Sequence, residues 1–106
     1  MLLSITSDGM FGRPIVRETC EKICGRKIKD SVWLSWKSWA NVPSGQTPYY
    51  TKDQFYLLIA IASLRKGWGK NHRQLDPLEI RAIAYSPYTI QMVKLIEEDC
   101  YNGQGK

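Results

Sequence analysis

The sequence predicts a mainly α-helical domain with one small two-stranded β element, and three observations carry that prediction. Helix-boundary residues recur at short intervals: Pro14 and Gly25 frame one segment, Thr51 and Gln54 open another, and Asp76-Pro77 and Ser86-Pro87 open two more. Between them, apolar residues recur at helical rather than alternating spacing. The one stretch with β-prone ends around turn residues, "VPSGQTPYY" (42–50), has room for a hairpin and nothing larger.

In chain order, "RPIVRETCEKICG" puts proline in a first helical turn, where its missing N–H would be unpaired anyway, and glycine where a left-handed cap ends a helix. Ile15, Val16, Cys20, Ile23 and Cys24 fall largely on one side, predicting a helix over 14–24. The basic connector "GRKIK" (25–29) leads to "SVWLSWKSWAN", for which Asp30 or Ser31 is the expected cap. Helix, short glycine-containing turn and helix make a helix-turn-helix pattern. The hairpin follows, its ends at Val42 and Tyr49-Tyr50. Thr51 and Gln54 form a capping box. The helix they open, "DQFYLLIAIASLRKG", is apolar on too many faces for the surface, so it should be central and end at Gly67. Beyond the basic segment "GWGKNHRQ" (67–74), Asp76 caps a short helix reaching Tyr85. Ser86-Pro87 then starts "PYTIQMVKLIEEDCY", expected to stop at Asn102-Gly103. Tyr88, Met92, Leu95 and Ile96 mark an apolar stripe on that otherwise polar helix.

At 106 residues, one domain with an appendage is expected: residues 1–85 as the domain and 86–106 as a C-terminal helix and tail. The longest apolar run, "FYLLIAIA", falls far short of the roughly 20 residues a membrane span needs. The start "MLLSITSDGM" lacks a basic region ahead of a long apolar one, so a cytoplasmic protein is expected. Three cysteines, an odd count, then point to reduced thiols. The net charge of +5 is unevenly spread. Residues 1–73 hold twelve Lys/Arg against five Asp/Glu, and residues 74–106 hold three against five. A basic front and a mildly acidic tail suggest a part facing a polyanion and a part with another task.

The order of elements, with "ETCEKICGRKI", "DSVWLSWKSW" and "YYTKDQFYLLIAIASLRKG" as landmarks, resembles the DNA-binding domain of MerR-type transcription regulators over residues 14–85. The resemblance implies a winged helix-turn-helix fold: "DSVWLSWKSW" as recognition helix, the hairpin as wing, and the last helix as dimerisation helix. It departs from the family at two points. Leu34 or Ser35 stands where an arginine usually precedes the aromatic residues, and Thr47-Pro48 precede the wing tyrosine, Tyr49. It implies a short form without an effector domain, for which no small-molecule effector is expected.

On the second helix, steps of three residues turn by about 300°, so Trp33, Trp36 and Trp39 sweep an arc. Trp33 and Trp36, with Ala40, should pack against the first and central helices. Trp39, towards the wing, either packs or contacts the DNA backbone through its N–H. The opposite flank, Lys29, Ser31, Ser35, Lys37 and Ser38, should face the major groove, where small hydroxyl side chains allow close approach. No Arg, Asn or Gln precedes Asn41 on this helix, so bidentate base contacts are scarce and DNA shape should carry part of the specificity. Expected phosphate contacts are Arg13 and Arg17 on the first helix, Arg26 and Lys27 in the turn, Tyr49 in the wing and Lys52 at the central helix. In the resembled fold "GWGKNHRQ" lies near a second winglike loop, adding Lys66, Lys70, His72 and Arg73, with Trp68 either anchoring the loop or packing inwards. The stripe of Tyr88, Met92, Leu95 and Ile96 should join two copies, since one recognition helix reads too few base pairs alone.

Cys20 and Cys24 lie one helical turn apart, but no further Cys or His completes a metal site by spacing, and both fit the apolar pattern of a core. With one histidine, no glycine-rich phosphate loop and no paired carboxylates outside "EED" (97–99), no enzyme, cofactor or metal is expected. The sequence thus predicts a homodimeric regulator of double-stranded DNA, most simply a repressor. An excisionase-like architectural protein and a protein-interaction module are the alternatives.

Overall fold

The computed structural model of the protein describes residues 3–43, 45, 48–66 and 75–104. Among these, the helices are α1 (Arg13–Cys24), α2 (Asp30–Trp39), α3 (Lys52–Arg65), α4 (Pro77–Ala84) and α5 (Pro87–Gln104). Two short strands, β1 (Phe11–Gly12) and β2 (Tyr49–Tyr50), pair antiparallel.

Helix α3 is the centre. Its capping box is complete: the Gln54 N–H donates to Thr51 Oγ1 at 3.1 Å, and the Thr51 N–H donates to Gln54 Oε1 at 2.9 Å. Phe55 and all six residues from Leu57 to Ala62 are buried, so no polar face survives. This follows from packing on several sides, because α1, α2, α4 and α5 all lie against it. They contribute Val16, Cys20 and Cys24 from α1, Trp33 and Trp36 from α2, Ile80 and Ala84 from α4, and Val93 and Cys100 from α5. The expected end of this helix at Gly67 lies outside the described residues.

Most helix boundaries fall where the residues predict them. Gly25 closes α1 with φ 80°, its N–H donating to Glu21 O at 2.9 Å. The Leu78 N–H donates to Asp76 Oδ1 at 2.9 Å at the start of α4. Two boundaries differ. At α2 the cap position is Lys29, without a side-chain bond, and Asp30 is already helical. The Asp30 carboxylate is instead held 2.8 Å from Arg17 Nη2, while still lying where the positive end of the helix dipole favours it. Helix α5 runs through Asn102–Gly103 to Gln104, since a helical glycine costs about 1 kcal/mol but does not forbid continuation.

The sheet is not the expected hairpin. Val42 is buried outside any strand, and its N–H donates to Lys37 O at 2.9 Å, finishing α2. Phe11 pairs with Tyr50 and Gly12 with Tyr49, so β2 joins a segment that precedes α1. Ile5 bridges to Phe11 from the other side. Ile5, Phe11 and Tyr50 are all fully buried by this arrangement, and Phe11 meets Phe55 edge-on with centroids 4.8 Å apart. Burial of three large apolar side chains, at about 25 cal/mol per Å², outweighs the local preference of turn residues for closing a hairpin. Gly12 permits the close approach: its N–H donates to Ser4 O at 2.8 Å, and a Cβ there would sit 2.1 Å from Leu3 O.

Among the described residues, no helix is long and apolar enough to cross a membrane.

Candidate nucleic-acid interface

The turn between α1 and α2 is organised by Arg17. Its guanidinium donates to the Ile28 carbonyl, pairs with Asp30 at 2.8 Å, approaches Glu21 at 4.0 Å and lies 5.7 Å from the centre of the Trp33 ring. Glu21 in turn accepts from the Ile28 N–H at 2.8 Å. One cation thus joins α1, the turn and α2, while Ile28 is buried beneath. Arg17, expected as a phosphate contact, is thus engaged within the fold, with its side chain 28% exposed.

Helix α2 is held by its tryptophans. Trp33 and Trp36 are buried with ring centroids 6.4 Å apart, and Trp33 meets Tyr50 edge-on at 6.2 Å. Burial pushes the Tyr50 phenol above its usual ionisation range, against the Trp33 indole and the Arg13 and Arg17 cations, which act to lower it. Trp39 is half-buried and packs on the core, leaving part of its ring at the edge of the helix.

The side of α2 turned away from the tryptophans is exposed and consists of Ser31, Leu34, Ser35 and Ser38. That i, i+3, i+4, i+7 set forms a single stripe along the helix. Arg26, Lys27 and Lys29 lead into it, all exposed. Three cations and a row of small hydroxyl groups therefore adjoin one another, an arrangement suited to anionic backbone and polar base edges, although the positive end of the helix is already met by the Asp30 carboxylate. Leu34 is missing from the sequence-based site because a large apolar residue on a helix reads as core. It is 57% exposed in the middle of the stripe, and the signal was its place three residues after Ser31 and four before Ser38.

Lys37 corrects a further expectation. It is 6% exposed and faces inwards, and its Nζ donates to Gly45 O at 2.8 Å. With a step of 100° per residue, Lys37 lies beyond Leu34 on the side of Trp33, not between the serines. Gly45 adopts φ 101°, a left-handed conformation that suits glycine, and carries the carbonyl the lysine holds. Lys37 thus tethers the α2–β2 connection. The same end of α2 is also tied to α3: the Asn41 carbonyl, at a residue with φ 60°, accepts from Gln54 Nε2 at 3.4 Å.

The remaining expected contacts are spread more widely. Arg13 is half-exposed beside the sheet, its backbone N–H donating to Pro48 O at 2.9 Å. Tyr49 is half-exposed, its hydroxyl accepting from the Leu3 N–H at 3.1 Å. Lys52 pairs with Glu97 of α5 at 3.1 Å, and that hydrogen bond raises its pKa. It serves an α3–α5 contact. Lys70, His72 and Arg73 lie outside the described residues, as does Trp68.

On α5, Tyr88 and Leu95 are exposed at 63% and 52%, while Met92 and Ile96 are half-buried against the core. Thr89, Val93 and Cys100 form the side that faces inwards. The three thiols are free and buried. Burial is the main cause raising both the Cys20 and the Cys100 thiol above the usual range. Among the described residues no three His, Cys, Asp or Glu side chains come together as metal ligands would. Comparison with protein-family models, curated proteins and solved structures gives no significant match.

Proposed function

We propose that the chain is a small winged helix-turn-helix regulator of the MerR-like kind. It binds specific double-stranded DNA as a homodimer and represses by occluding a promoter. The observation that carries this reading is the outward stripe of α2: three serines and Leu34, entered through Arg26, Lys27 and Lys29 and opposite the tryptophans that fix the helix. Such a helix enters the major groove with its N-terminal turns leading. The serines donate to bases or phosphates, and the three cations neutralise the backbone. The α2–β2 connection, tethered by Lys37, takes the place of the wing, with Tyr49 and Arg13 at its base. α5 supplies the dimer contact through Tyr88, Met92, Leu95 and Ile96. The absence of Arg, Asn and Gln from the stripe points to specificity drawn partly from apolar contact and DNA shape.

The test is selection of bound sites from a random duplex pool, followed by titration against salt. The reading expects an enriched inverted repeat and a steep fall in affinity between roughly 50 and 200 mM salt. Direct repeats with cooperative filling would favour an architectural role of the excisionase kind. No salt-sensitive affinity for any duplex would reject DNA binding in favour of a protein partner.

A further inference from the structure

The stripe on α5 does not simply face solvent. Tyr88, Met92 and Ile96 form one wall of an open groove of about 1040 Å³, and the opposite wall is α1, through Ile15 and Ile23. Charged side chains of both signs line the same groove, Lys66 from the end of α3, Lys22 from α1, the latter 3.3 Å from Glu18, and Asp99 of α5 itself. A groove between two helices, with apolar walls and with two lysines and one carboxylate in its lining, fits an amphipathic helix that carries apolar anchors one turn apart and charges able to pair with both signs.

Helix α5 is such a helix. Its Tyr88, Met92, Leu95 and Ile96 are succeeded by Glu98 and Asp99, and Glu97 is already engaged by Lys52. We propose that the α1/α5 groove receives helix α5 of a second copy of this chain, resting on the homodimer reading above. Each α5 is then both wall and occupant, a self-complementary contact of the kind a twofold axis requires. The half-exposed Ile15 and Ile23 of α1 become interface residues, and Lys22 and Lys66 meet the acidic end of the partner helix. The uneven charge of the chain, basic ahead of residue 74 and acidic after it, gains a role in setting the basic part of each copy against the acidic part of the other across that axis.

Sedimentation equilibrium of the full chain, with and without duplex DNA, tests this. The wild type should dimerise. Ile23→Glu on the α1 wall should weaken association at least about ten-fold. The double variant Lys22→Glu/Lys66→Glu, whose side chains are exposed and outside the core, should do the same with an unchanged circular dichroism spectrum. Ile90→Glu, on an exposed part of α5 away from the groove, should dimerise as the wild type does. A monomer at every concentration overturns the proposal. So does a dimer indifferent to the Ile23 and lysine variants, even one that binds DNA, as does capture of the groove by an unrelated helix in preference to a second copy. A dimer sensitive to those variants that binds no duplex supports the groove contact and removes the regulator reading alone.

Discussion

The guanidinium of Arg17 lies 5.7 Å from the centre of the Trp33 ring, so the cation of α1 rests on the aromatic anchor of α2. The same group reaches the Ile28 carbonyl and Asp30. Planarity matters here, because a guanidinium can stack on a ring and donate in its own plane at once, whereas an ammonium cannot. Arg17→Ala should lower stability by about 1–3 kcal/mol. Arg17→Lys should recover less than half of that loss, read from urea unfolding midpoints. Unaltered stability with lost DNA affinity would make Arg17 a phosphate ligand instead.

Lys37→Met keeps the buried stem and removes the bond to Gly45 O. Because Gly45 is exposed, water can take over its carbonyl, and the expected cost is only about 1 kcal/mol. DNA affinity should change little. Ser35→Ala with Ser38→Ala should give the converse: native stability and at least ten-fold weaker binding, an effect of roughly 1.4 kcal/mol. Equal losses in both proteins would mean that the stripe is not the reading face.

Leu34 offers the one large apolar surface on that stripe, and the thymine methyl is the apolar feature of the major groove. Leu34→Ala should weaken binding to the selected site. Replacing the contacted thymine by deoxyuridine should weaken the wild type by a similar factor and leave the variant unaffected. Electrophoretic mobility shifts on the two duplexes decide it, and additive effects of the two changes would refute the contact.

Stability should be flat near neutrality and decline under alkaline conditions. Cys20, Tyr50, Tyr85 and Lys52 all have pKa values raised in the folded state, the first three chiefly by burial and Lys52 by its bond to Glu97. A group so raised keeps its proton when folded and loses it when unfolded. Its contribution is therefore complete below the unfolded value and fades as pH climbs towards the folded one. The usual thiol value of 9.0 marks where the decline should start, steepening past 10.0 as the phenols join. Urea midpoints measured from pH 7 to 11 test the sign, since a midpoint rising across that interval contradicts the raised values of these groups.

Gly12→Ala should be among the most damaging single changes to the sheet, because its Cβ would meet the Leu3 carbonyl at 2.1 Å. A cost of about 1–3 kcal/mol is expected, and a fully native melting temperature would show that the N-terminal stretch is not pressed against β1.

The helices were legible in the residues because their signals are local. Thr51 with Gln54, Asp76 with Leu78, and Gly25 each make the bond that their type and spacing foretell. The tryptophan assignment was also local, since Trp33 and Trp36 share the inward side of one helix. What escaped depends on distant partners. Nothing near Tyr49-Tyr50 announces that Phe11-Gly12 will pair with them across the whole of α1 and α2. Lys37 and Arg17 looked like surface cations because their hydrogen-bonding partners, Gly45 and Ile28, are backbone carbonyls brought close only by folding.

That distant pairing has a consequence for anyone wishing to transplant α2. Gly12 opposite Tyr49 closes a ring of chain whose entire contents are α1, the turn, α2 and the connection after it. An excised α1–α2 peptide would be an opened ring, lacking the clasp as well as the α3 surface beneath it. The smallest transferable unit therefore begins ahead of β1 and extends through α3, and it should be gained or lost all at once.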